Sequence, residues 1–470
     1  MASLADATPP IALGPLDGRY RETVAPLVDH LSEPALNRAR VKVEVEWLIH
    51  LTDHDVVPGV RHLTDGEKAA LRRVVADFGP NDVEEIATTE KVTQHDVKAV
   101  EYYVKKRLAQ VCPGPDDAGL TELVHLGCTS EDINNLSYAS TVRSALHEVW
   151  LPAARDVVGQ VTGMAYDLRD VPLLAHTHGQ PATPTTMGKE LAVLAYRLGR
   201  QLTRIEGDEV LGKINGATGT FGAHLAAAPD ADWPAISRSF VEGLGLTWNP
   251  LTTQIESHDW QSELYADLAR FNRVLHNLCT DFWTYISMGY FAQVRGQGTV
   301  GSSTMPHKVN PIRFENAEAN LEVSSALLDV LGSTLVTSRL QRDLTDSSMQ
   351  RNIGPAFGHS LLAIANVRRG LSGLDPVPEA MAADLDANWE ILAEPIQSAM
   401  RALGARGVAG MENPYERLKE LTRGRRIGRD DIVAFVRGLG LPADVEERLA
   451  ALTPATYTGL ASTLVDRLPR

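Results

Sequence analysis

The chain has 470 residues, of which 44% are hydrophobic and 22% charged, values typical of globular proteins with a large core. Its formal net charge of −15 argues against a nucleic-acid-binding protein, although an anionic ligand could still bind where basic side chains converge. The three cysteines form no CxxC pair, so neither a disulfide framework nor a zinc site is expected. Because no signal peptide and no long apolar run is recognisable, we expect a soluble, cytoplasmic protein without membrane contact.

The first motif in chain order is TQHDVKAVEYYVK, residues 93–105, which predicts the start of a helix. His95 and Asp96 lie at that start, and Asp96 is expected either to cap the helix or to orient His95. In isolation the motif favours the alternative, a capping role alone. A second motif, HLGCTSEDINN, places Thr129 and Ser130 at another predicted helix start, where they could also serve only as caps. The helical pattern after it runs from Ile133 towards Leu168.

The segment HTHGQPATP, residues 176–184, carries two histidines at positions i and i+2. That spacing cannot place both side chains on one helix face. A metal site would need further ligands at a suitable spacing, and the sequence offers none. One histidine acting as a general acid or base and a hydrogen-bonded loop histidine both remain open. A helix is predicted directly after it, from Thr186 to Ile205.

The strongest periodic signal begins at Asp259, which can cap its helix, and extends to about Gln293. Some 35 residues at 1.5 Å each span roughly 50 Å, longer than a small domain. A helix that outruns the core of a monomer must bury its apolar face elsewhere, and a homo-oligomer provides that surface. The alternative is a monomeric helical bundle.

The segment GSSTMPHKVNP, residues 301–311, ends at a predicted helix that runs from Pro311 to Leu335, with Asn310 as its cap. Lys308 and the free N–H groups of the helix start would form an anion site. The alternative is a polar loop whose serines only cap. Farther on, SRLQRDLTDSSMQRN, residues 338–352, interleaves arginines and serines in a way that suits phosphate oxygens or, alternatively, a solvated surface.

Taken together, alternating β patterns are rare, and we predict an all-α fold with a central bundle of long helices. Stretches rich in Pro and Gly near 113–119 and 371–378 are candidate boundaries. They divide the chain into an N-terminal helical domain (1–118), a central long-helix domain carrying the 301–311 loop (119–371) and a C-terminal helical domain (372–470). No GxGxxG or P-loop pattern occurs, so no nucleotide cofactor fold is indicated.

These stretches resemble the fumarase/aspartase superfamily, whose signature loop is similar to GSSTMPHKVNP. Within it the resemblance is to the bacterial long-type adenylosuccinate lyase family. The segments that carry the closer resemblance, spread over about residues 15–460, are TQHDVKAVEYYVK, HLGCTSEDINNLSYA, THGQPATPTTMGKE, GKINGATGTF, TTQIESHDW, SRLQRDLTDSSMQRN and NPYERLKELTRG. The resemblance implies a three-domain, mostly α homotetramer with active sites shared between subunits. It also implies release of fumarate from adenylosuccinate, giving AMP, and from SAICAR, giving AICAR, without cofactor or metal.

The resemblance also implies roles for individual residues. Ser302 would be the general base and His178 the general acid, with Glu315 tuning or orienting His178 and His95 assisting near the nucleotide. The succinyl carboxylates would be held by Thr129, Ser130, Gln254, Lys308 and Asn310. The nucleotide, chiefly its phosphate, would be held by Arg19, Tyr20, Arg342, Ser347 and Arg351. Further substrate contacts are expected from Gln94, Asp96, Ser303, Val309 and Asn316.

Two departures from the family pattern concern binding only: Gln94 stands where relatives often carry Thr or Asn, and Cys128 where Ala is common. Other functions remain open. A serine hydrolase or amidase would use Ser302 as a nucleophile and would need a base and an oxyanion hole. A non-catalytic relative that kept the fold would be expected to lose the Ser/His pair, whereas this chain has both. Another fumarate-releasing lyase is a further alternative.

Overall fold

The computed structural model describes residues 13–114, 117–294, 309–422 and 427–469. These residues are mainly α-helical, which confirms the predicted fold class. The helices of the first half are α1 Arg21–Val24, α2 Val28–Leu31, α3 Glu33–Asp53, α4 Asp65–Ala76, α5 Pro80–Thr93, α6 Asp96–Val111, α7 Ala118–Leu123, α8 Ser130–Ala145, α9 Leu151–Asp167, α10 Met187–Gly207, α11 Gly222–Ala227 and α12 Trp233–Gly243. The later helices are α13 Asp259–Ser287, α14 Ile312–Leu335, α15 Thr345–Gln350, α16 Ile353–Leu371, α17 Pro378–Asp386, α18 Ala393–Ala405, α19 Pro414–Thr422, α20 Arg429–Arg437, α21 Ala443–Ala450 and α22 Ala461–Leu464.

The strands are short and form two-stranded pairs. Strands β1 (Pro172–Thr177) and β2 (Gln180–Thr186) form an antiparallel hairpin. The remaining pairs are β3 (Leu211–Gly212) with β4 (Thr247–Trp248), which is parallel, and β5 (Phe291–Gln293) with β6 (Leu374–Pro376), which is antiparallel. Within the described ranges, no helix is long and apolar enough to cross a membrane.

The contacts between residues divide the chain into two compact units. Unit 1 comprises the described residues of Met1–Arg155, Gln201–Leu275 and Ala317–Ala365. Unit 2 comprises those of Asp156–Arg200, His276–Asn316 and Asn366–Arg470. Each boundary between the units falls within one of the long helices α9, α10, α13, α14 and α16. The division into three domains stays a prediction from the sequence.

The long helix α13 begins at Asp259, as the periodicity predicts, but ends at Ser287 instead of about Gln293. Gly289 follows with φ of 75°, and the chain then enters β5. A glycine in the left-handed region is a common way to end a helix, because it has no Cβ to clash with the preceding turn. The 29 residues of α13 still span roughly 44 Å at 1.5 Å per residue.

Two other predicted helices form with small changes. The stretch predicted from Ile133 to Leu168 is helical from Ser130 to Asp167, with a π-helical turn at Leu146–Trp150 joining α8 to α9. Helix α14 begins one residue later than predicted. The Pro311 carbonyl accepts hydrogen bonds from the N–H groups of Phe314 (3.0 Å) and Glu315 (3.3 Å), so Pro311 occupies the cap position expected for Asn310.

Unit 1 contains a buried chain of polar side chains between long helices. Asn272 on α13 donates to Ser324 Oγ on α14 (3.0 Å) and accepts from Ser360 Oγ on α16 (2.8 Å). Ser360 Oγ also accepts from Trp150 Nε1 (2.9 Å), and Ser324 Oγ donates to the Ala356 carbonyl (2.7 Å). These side chains are at most 2% exposed. Each buried polar group must find a partner, and here the partners lie on neighbouring helices.

In unit 2, buried side chains between Trp389 and Leu449 form an apolar cluster. Met400 of α18, Leu418 of α19, Val436 of α20 and Leu449 of α21 all belong to it and are at most 5% exposed. The hairpin β1–β2, which contains the histidine motif, packs against α17 through β1. Glu394 Oε2 of α18 accepts a hydrogen bond from Thr183 Oγ1 of β2 (2.9 Å). The hairpin is therefore held by residues far along the chain.

Candidate active site

In unit 1, His95 lies at the start of α6 and faces Ser130 at the start of α8. The His95 Nδ1 atom accepts a hydrogen bond from the Lys98 backbone N–H (3.2 Å), which makes His95 the N-cap of its helix. Its Nε2 atom lies 3.4 Å from Ser130 Oγ. Because Nδ1 acts as an acceptor, the neutral ring carries its proton on Nε2, so the exposed edge of the ring is a hydrogen-bond donor. Two of the residues predicted from separate motifs are therefore neighbours.

The capping role expected of Asp96 is wrong, because His95 occupies the cap position. The Asp96 carboxylate instead lies 2.7 Å from Arg40 Nη2 and 3.8 Å from Arg351 Nη2. Burial acts to raise the pKa of Asp96, but Arg40 and the Val97 N–H outweigh it, and the pKa is lowered. Asp96 thus stays ionised and holds two guanidinium groups. Arg351 also pairs with Glu33.

Thr129 is the residue before helix α8, and its carbonyl accepts from the Asp132 N–H (2.9 Å). The Thr129 backbone N–H donates to Asp132 Oδ2 (2.8 Å). This arrangement leaves Ser130 in the first turn, where the free N–H groups of the helix favour an anion. The predicted helix start at this motif is confirmed, and Thr129 occupies its N-cap position.

Arg342 joins this helix start to Gln254. Its Nη2 atom lies 2.9 Å from Glu131 Oε1, and its Nη1 atom lies 3.4 Å from Gln254 Oε1. The Gln254 Nε2 atom donates to the Ala217 carbonyl (3.0 Å). Burial raises the pKa of Glu131, and Arg342 acts in the opposite direction. The Arg342 Nε atom is buried and makes no hydrogen bond within the described part of the chain.

Other predicted binding residues of unit 1 have local roles. Gln94 ends α5 in the left-handed region, with φ of 53°, and its side chain donates to the Lys91 carbonyl (2.8 Å). Arg19 lies over the ring of Tyr20, 5.9 Å from its centroid. Ser347 lies in α15, where its backbone N–H donates to Asp346 Oδ1 (2.6 Å).

In unit 2, His178 lies at the tip of the hairpin β1–β2. The pairing of Thr177 with Gln180 leaves His178 and Gly179 as a two-residue turn, with φ of 55° and 73°. Two positive φ values in succession define a type I′ turn, which favours glycine or asparagine. A histidine kept in this conformation and exposed at the tip is a common sign of a functional position. His176, two residues earlier, points to Asp384 at 3.9 Å.

Glu315 lies in the first turn of α14 and accepts a hydrogen bond from Trp283 Nε1 (3.1 Å). Asn316, next to it, accepts from Asn366 Nδ2 (2.9 Å). Val309 and Asn310 precede this helix, and the Val309 carbonyl accepts a hydrogen bond from Gln293 Nε2 (2.8 Å). Trp283 thus fixes the Glu315 carboxylate. Ser302, Ser303 and Lys308 lie outside the described residues.

Four residues to which the sequence assigned no role form ion pairs in unit 1. Glu131 binds Arg342, Arg40 binds Asp96, and Asp132 binds Lys213 Nζ at 2.8 Å. The pattern of a capping residue followed three positions later by an acid could have indicated Asp132. Arg40 and Lys213 carry no local signal. Among the described residues, no group of three or more His, Cys, Asp or Glu side chains could hold a metal ion.

The cluster in unit 1 thus combines a histidine donor, a serine hydroxyl at a helix start and a guanidinium. Such donors suit the oxygen atoms of phosphate and carboxylate groups. Together these residue types favour an acid–base reaction on an anionic substrate.

Comparison with solved structures shows the same fold. The chain is similar to a fumarate lyase from Mesorhizobium sp. BNC1, with a TM-score of 0.73 and 18% identity over 95% of this chain and 96% of that one. It is also similar to the 3-carboxy-cis,cis-muconate lactonizing enzyme from Pseudomonas putida, with a TM-score of 0.68 and 20% identity over 93% and 96% of the two chains. The predicted fumarase/aspartase-like fold is therefore confirmed.

Comparison with families and relatives is more specific. A family model described as "Lyase" matches residues 18–323, and one described as "Adenylosuccinate lyase C-terminal" matches residues 338–458. The chain is 47% identical to the adenylosuccinate lyase of Escherichia coli (strain K12) over 97% of its own length and 98% of that protein. It is 45% identical to that of Haemophilus influenzae over the same shares. These similarities, which span nearly the whole sequence, show that the chain belongs to the adenylosuccinate lyase family.

Proposed function

We propose that this chain eliminates fumarate from adenylosuccinate, giving AMP, and from SAICAR, giving AICAR. The observation that carries the proposal is the similarity to relatives named adenylosuccinate lyase over 97% of the chain. Both reactions break a carbon–nitrogen bond next to a carbon that bears an acidic proton. They therefore need one group to remove that proton, one to protonate the leaving nitrogen and several to hold the charges.

The charges of the substrate are a phosphate and two carboxylates, and unit 1 offers donors for them. The Arg342 side chain is 22% exposed and its guanidinium lies beside the start of α8, where it can donate to a phosphate oxygen. Ser130 and Thr129 lie at the start of α8, where backbone N–H groups favour a carboxylate. His95 presents Nε2 towards Ser130. These contacts support the binding roles of Thr129, Ser130, Gln254 and Arg342. Further contacts to the nucleotide are assigned to Arg19, Tyr20, Ser347 and Arg351.

We assign Ser302 as the general base and His178 as the general acid. A serine becomes a useful base only where cations and N–H dipoles favour its alkoxide, and Lys308 and the start of α14 are close to it in sequence. General acid–base catalysis contributes about 10²–10⁴-fold, whereas enzymes typically need upwards of about 10⁶-fold. Donors aimed at the developing charge, at roughly 3–4 kcal/mol each, must supply the rest. Lys308, Asn310 and Ser303 would hold the carbanion in this way.

Two further residues would support the acid. Glu315 is held by Trp283, so its carboxylate has a fixed position from which to orient a histidine. His95 would assist near the leaving group of the nucleotide, because its donor edge faces Ser130. Gln94, Asp96, Val309 and Asn316 would contact the substrate or position residues that do.

We also propose a cytoplasmic homotetramer whose active sites combine residues of different subunits. The apolar residues Val323 and Val330, seven positions apart on one face of α14, are 45% and 44% exposed in the single chain. A second copy of the chain would cover such a face. The three cysteines are free, as is usual in a reducing compartment. The net charge of −15 supports a function without nucleic acid.

The proposal is tested by measuring fumarate release from both purine substrates by the wild-type chain and by the variants Ser302→Ala and His178→Ala. We expect the turnover number of each variant to fall by about 10²–10⁴-fold at an unchanged melting temperature. His176→Ala is the matched control, because His176 lies on the same hairpin, and its activity should remain close to wild type. Wild-type activity in both variants would contradict the assigned roles, and labelling of Ser302 by a fluorophosphonate would favour a hydrolase instead.

A further inference from the structure

Beneath the start of α8, unit 1 contains an ion pair without any solvent exposure. The Lys213 Nζ atom lies 2.8 Å from Asp132 Oδ1, and both side chains are 0% exposed. Asp132 is in the third position of α8, whereas Lys213 follows β3, some eighty residues later. Moving two charges out of water is costly, and buried ion pairs seldom add net stability. The pair therefore calls for an explanation other than stability.

The Asp132 carboxylate joins two separate segments of the chain. Oδ2 accepts hydrogen bonds from the backbone N–H groups of Thr129 (2.8 Å) and Gly216 (3.0 Å). Oδ1 accepts from the Asn215 N–H (2.9 Å) in addition to Lys213 Nζ. A carboxylate offers about four acceptor positions, and here four donors occupy them. The turn that carries Thr129 is thereby fixed to the loop 213–219, hereafter the lysine loop.

Hydrogen bonds hold both the backbone and the ammonium group of Lys213. Its backbone N–H donates to Asn135 Oδ1 (2.9 Å), and its carbonyl accepts from Asn135 Nδ2 (3.0 Å). Its ammonium group also donates to the Gly216 carbonyl (3.3 Å). The ammonium group thus closes the lysine loop on itself while neutralising Asp132.

The lysine loop also contacts the segment that carries Gln254. The Ala217 carbonyl accepts from Gln254 Nε2 (3.0 Å), and Asn215 Nδ2 donates to Thr252 Oγ1 (2.8 Å). Gly219 approaches so closely that a Cβ there would lie 2.3 Å from the Thr252 carbonyl oxygen. The segment with Gln254 is therefore held against the same loop that Asp132 binds.

We infer that Asp132 and Lys213 are positioning residues that set the geometry of the site for the succinyl carboxylates. The inference rests on the proposed function, in which Thr129, Ser130 and Gln254 hold these carboxylates. All three lie on segments that the ion pair or the lysine loop fixes. Of the residues assigned to the nucleotide, Arg342 also contacts these segments, through Glu131 and Gln254, whereas Ser347 and Arg351 lie in and directly after α15. Loss of the pair should thus weaken recognition of the fumarate half of the substrate more than that of the AMP half.

The test compares Lys213→Met with the wild-type enzyme, using the two products, fumarate and AMP, as inhibitors in initial-rate measurements. Methionine keeps the length of the side chain and removes its charge. We expect the inhibition constant of fumarate to rise by at least about tenfold and that of AMP by less than about threefold, while kcat/KM falls by about 10²-fold. The matched control is Lys68→Met, which breaks the Lys68–Asp53 pair at the surface (2.6 Å).

Circular dichroism and the melting temperature establish that the variant is folded. A purely structural pair would lower the melting temperature and leave both inhibition constants of the folded enzyme unchanged, and that result would overturn the inference. An equal rise of both constants would overturn it as well. If Lys213→Met does not fold, Lys213→Gln, which keeps a hydrogen-bond donor near Asp132, is measured in the same way. A wild-type chain that releases no fumarate would refute the proposed function itself, which is a separate outcome.

Discussion

Arg342 pairs with Glu131, with 2.9 Å between Nη2 and Oε1, so one guanidinium lies against a carboxylate at the start of α8. Its other terminal nitrogen reaches Gln254. The planar, forked geometry of arginine permits both contacts at once. The orientation of this side chain is therefore set before any substrate binds.

Arg342→Lys should weaken binding of the nucleotide half of the substrate. A lysine cannot make several hydrogen bonds in one plane, and a bond to a charged group is worth about 1.5–3 kcal/mol. We expect the inhibition constant of AMP to rise by about 10–100-fold and that of fumarate to rise less, through the contact of Arg342 with Gln254. Arg339→Lys is the control, because Arg339 is exposed and pairs only locally with Asp343 at 3.1 Å. Equal effects on both products would contradict the phosphate role of Arg342.

His95 combines a structural and a chemical role, and two variants separate them. Asparagine is a good N-cap, so His95→Asn should keep the hydrogen bond from the Lys98 N–H and melt close to the wild type. His95→Ala loses that bond and should be destabilised by about 1 kcal/mol. Both variants lack the ring donor that faces Ser130, and turnover should fall by about 10²-fold or more in each. Thermal unfolding and fumarate release measure the two effects, and an active His95→Asn would show that the ring only caps.

Gly127→Ala should lower the free energy of unfolding far more than a typical substitution of a loop glycine. Gly127 has φ of 73°, and a Cβ there would lie 2.6 Å from Cδ2 of the fully buried His224. The left-handed backbone costs about 1–2 kcal/mol and the overpacking about 1–3 kcal/mol more. Gly59→Ala shares the positive φ (88°) but meets no atom within 4 Å, so only the backbone cost applies. Chemical denaturation compares the two, and equal losses would contradict the steric argument.

Ionisation of Asp208 should lower the stability of the folded protein as the pH rises. Burial, reinforced by the negative charges of Asp267 and Glu263, raises the pKa of Asp208 to about 6. A carboxyl whose pKa is raised on folding binds its proton more tightly in the folded state, so stability falls between about pH 4 and pH 6. Asp208→Asn should therefore gain about 1 kcal/mol at pH 8, after allowance for the partial exposure, and nothing at pH 4.

The control for this pH dependence is Asp230→Asn, which changes an exposed aspartate of the same unit. Melting temperatures of the three proteins are measured at pH 4, 6 and 8. The difference between Asp208→Asn and the wild type should grow with pH, and the Asp230→Asn difference should remain flat. A gain of the same size at pH 4 would show that charge on Asp208 is not its cause.

The sequence predicts helices better than their ends and caps. The apolar period starting at Asp259 predicts α13, because burial of one helix face leaves a regular trace. Its end was predicted six residues too late, since a single Gly289 within a helical pattern does not by itself reveal a left-handed backbone. At α6 the cap is His95 and not Asp96. The Asp96 carboxylate instead binds Arg40, which is close in space but 56 residues earlier in the sequence.

The candidate site was predictable where the motif is local. Thr129 and Ser130 stand at a helix start, and the sequence places them there through capping chemistry. The partner of each charged side chain was not predictable, since Glu131 meets Arg342 and Asp132 meets Lys213 only after the chain has folded. The roles of Ser302 and His178 came from the family resemblance, and they stay predictions.

The buried chain from Trp150 through Ser360 and Asn272 to Ser324 has a consequence for how the long helices align. Apolar helix faces made of similar residues could slide past one another by one turn, about 5.4 Å, at little cost. Such a shift would move Asn272 away from both serines and leave its amide unpaired in an apolar interior, which costs about 1–3 kcal/mol for each group. The hydrogen bonds of the polar chain thus stabilise one alignment of α13, α14 and α16 over the shifted ones.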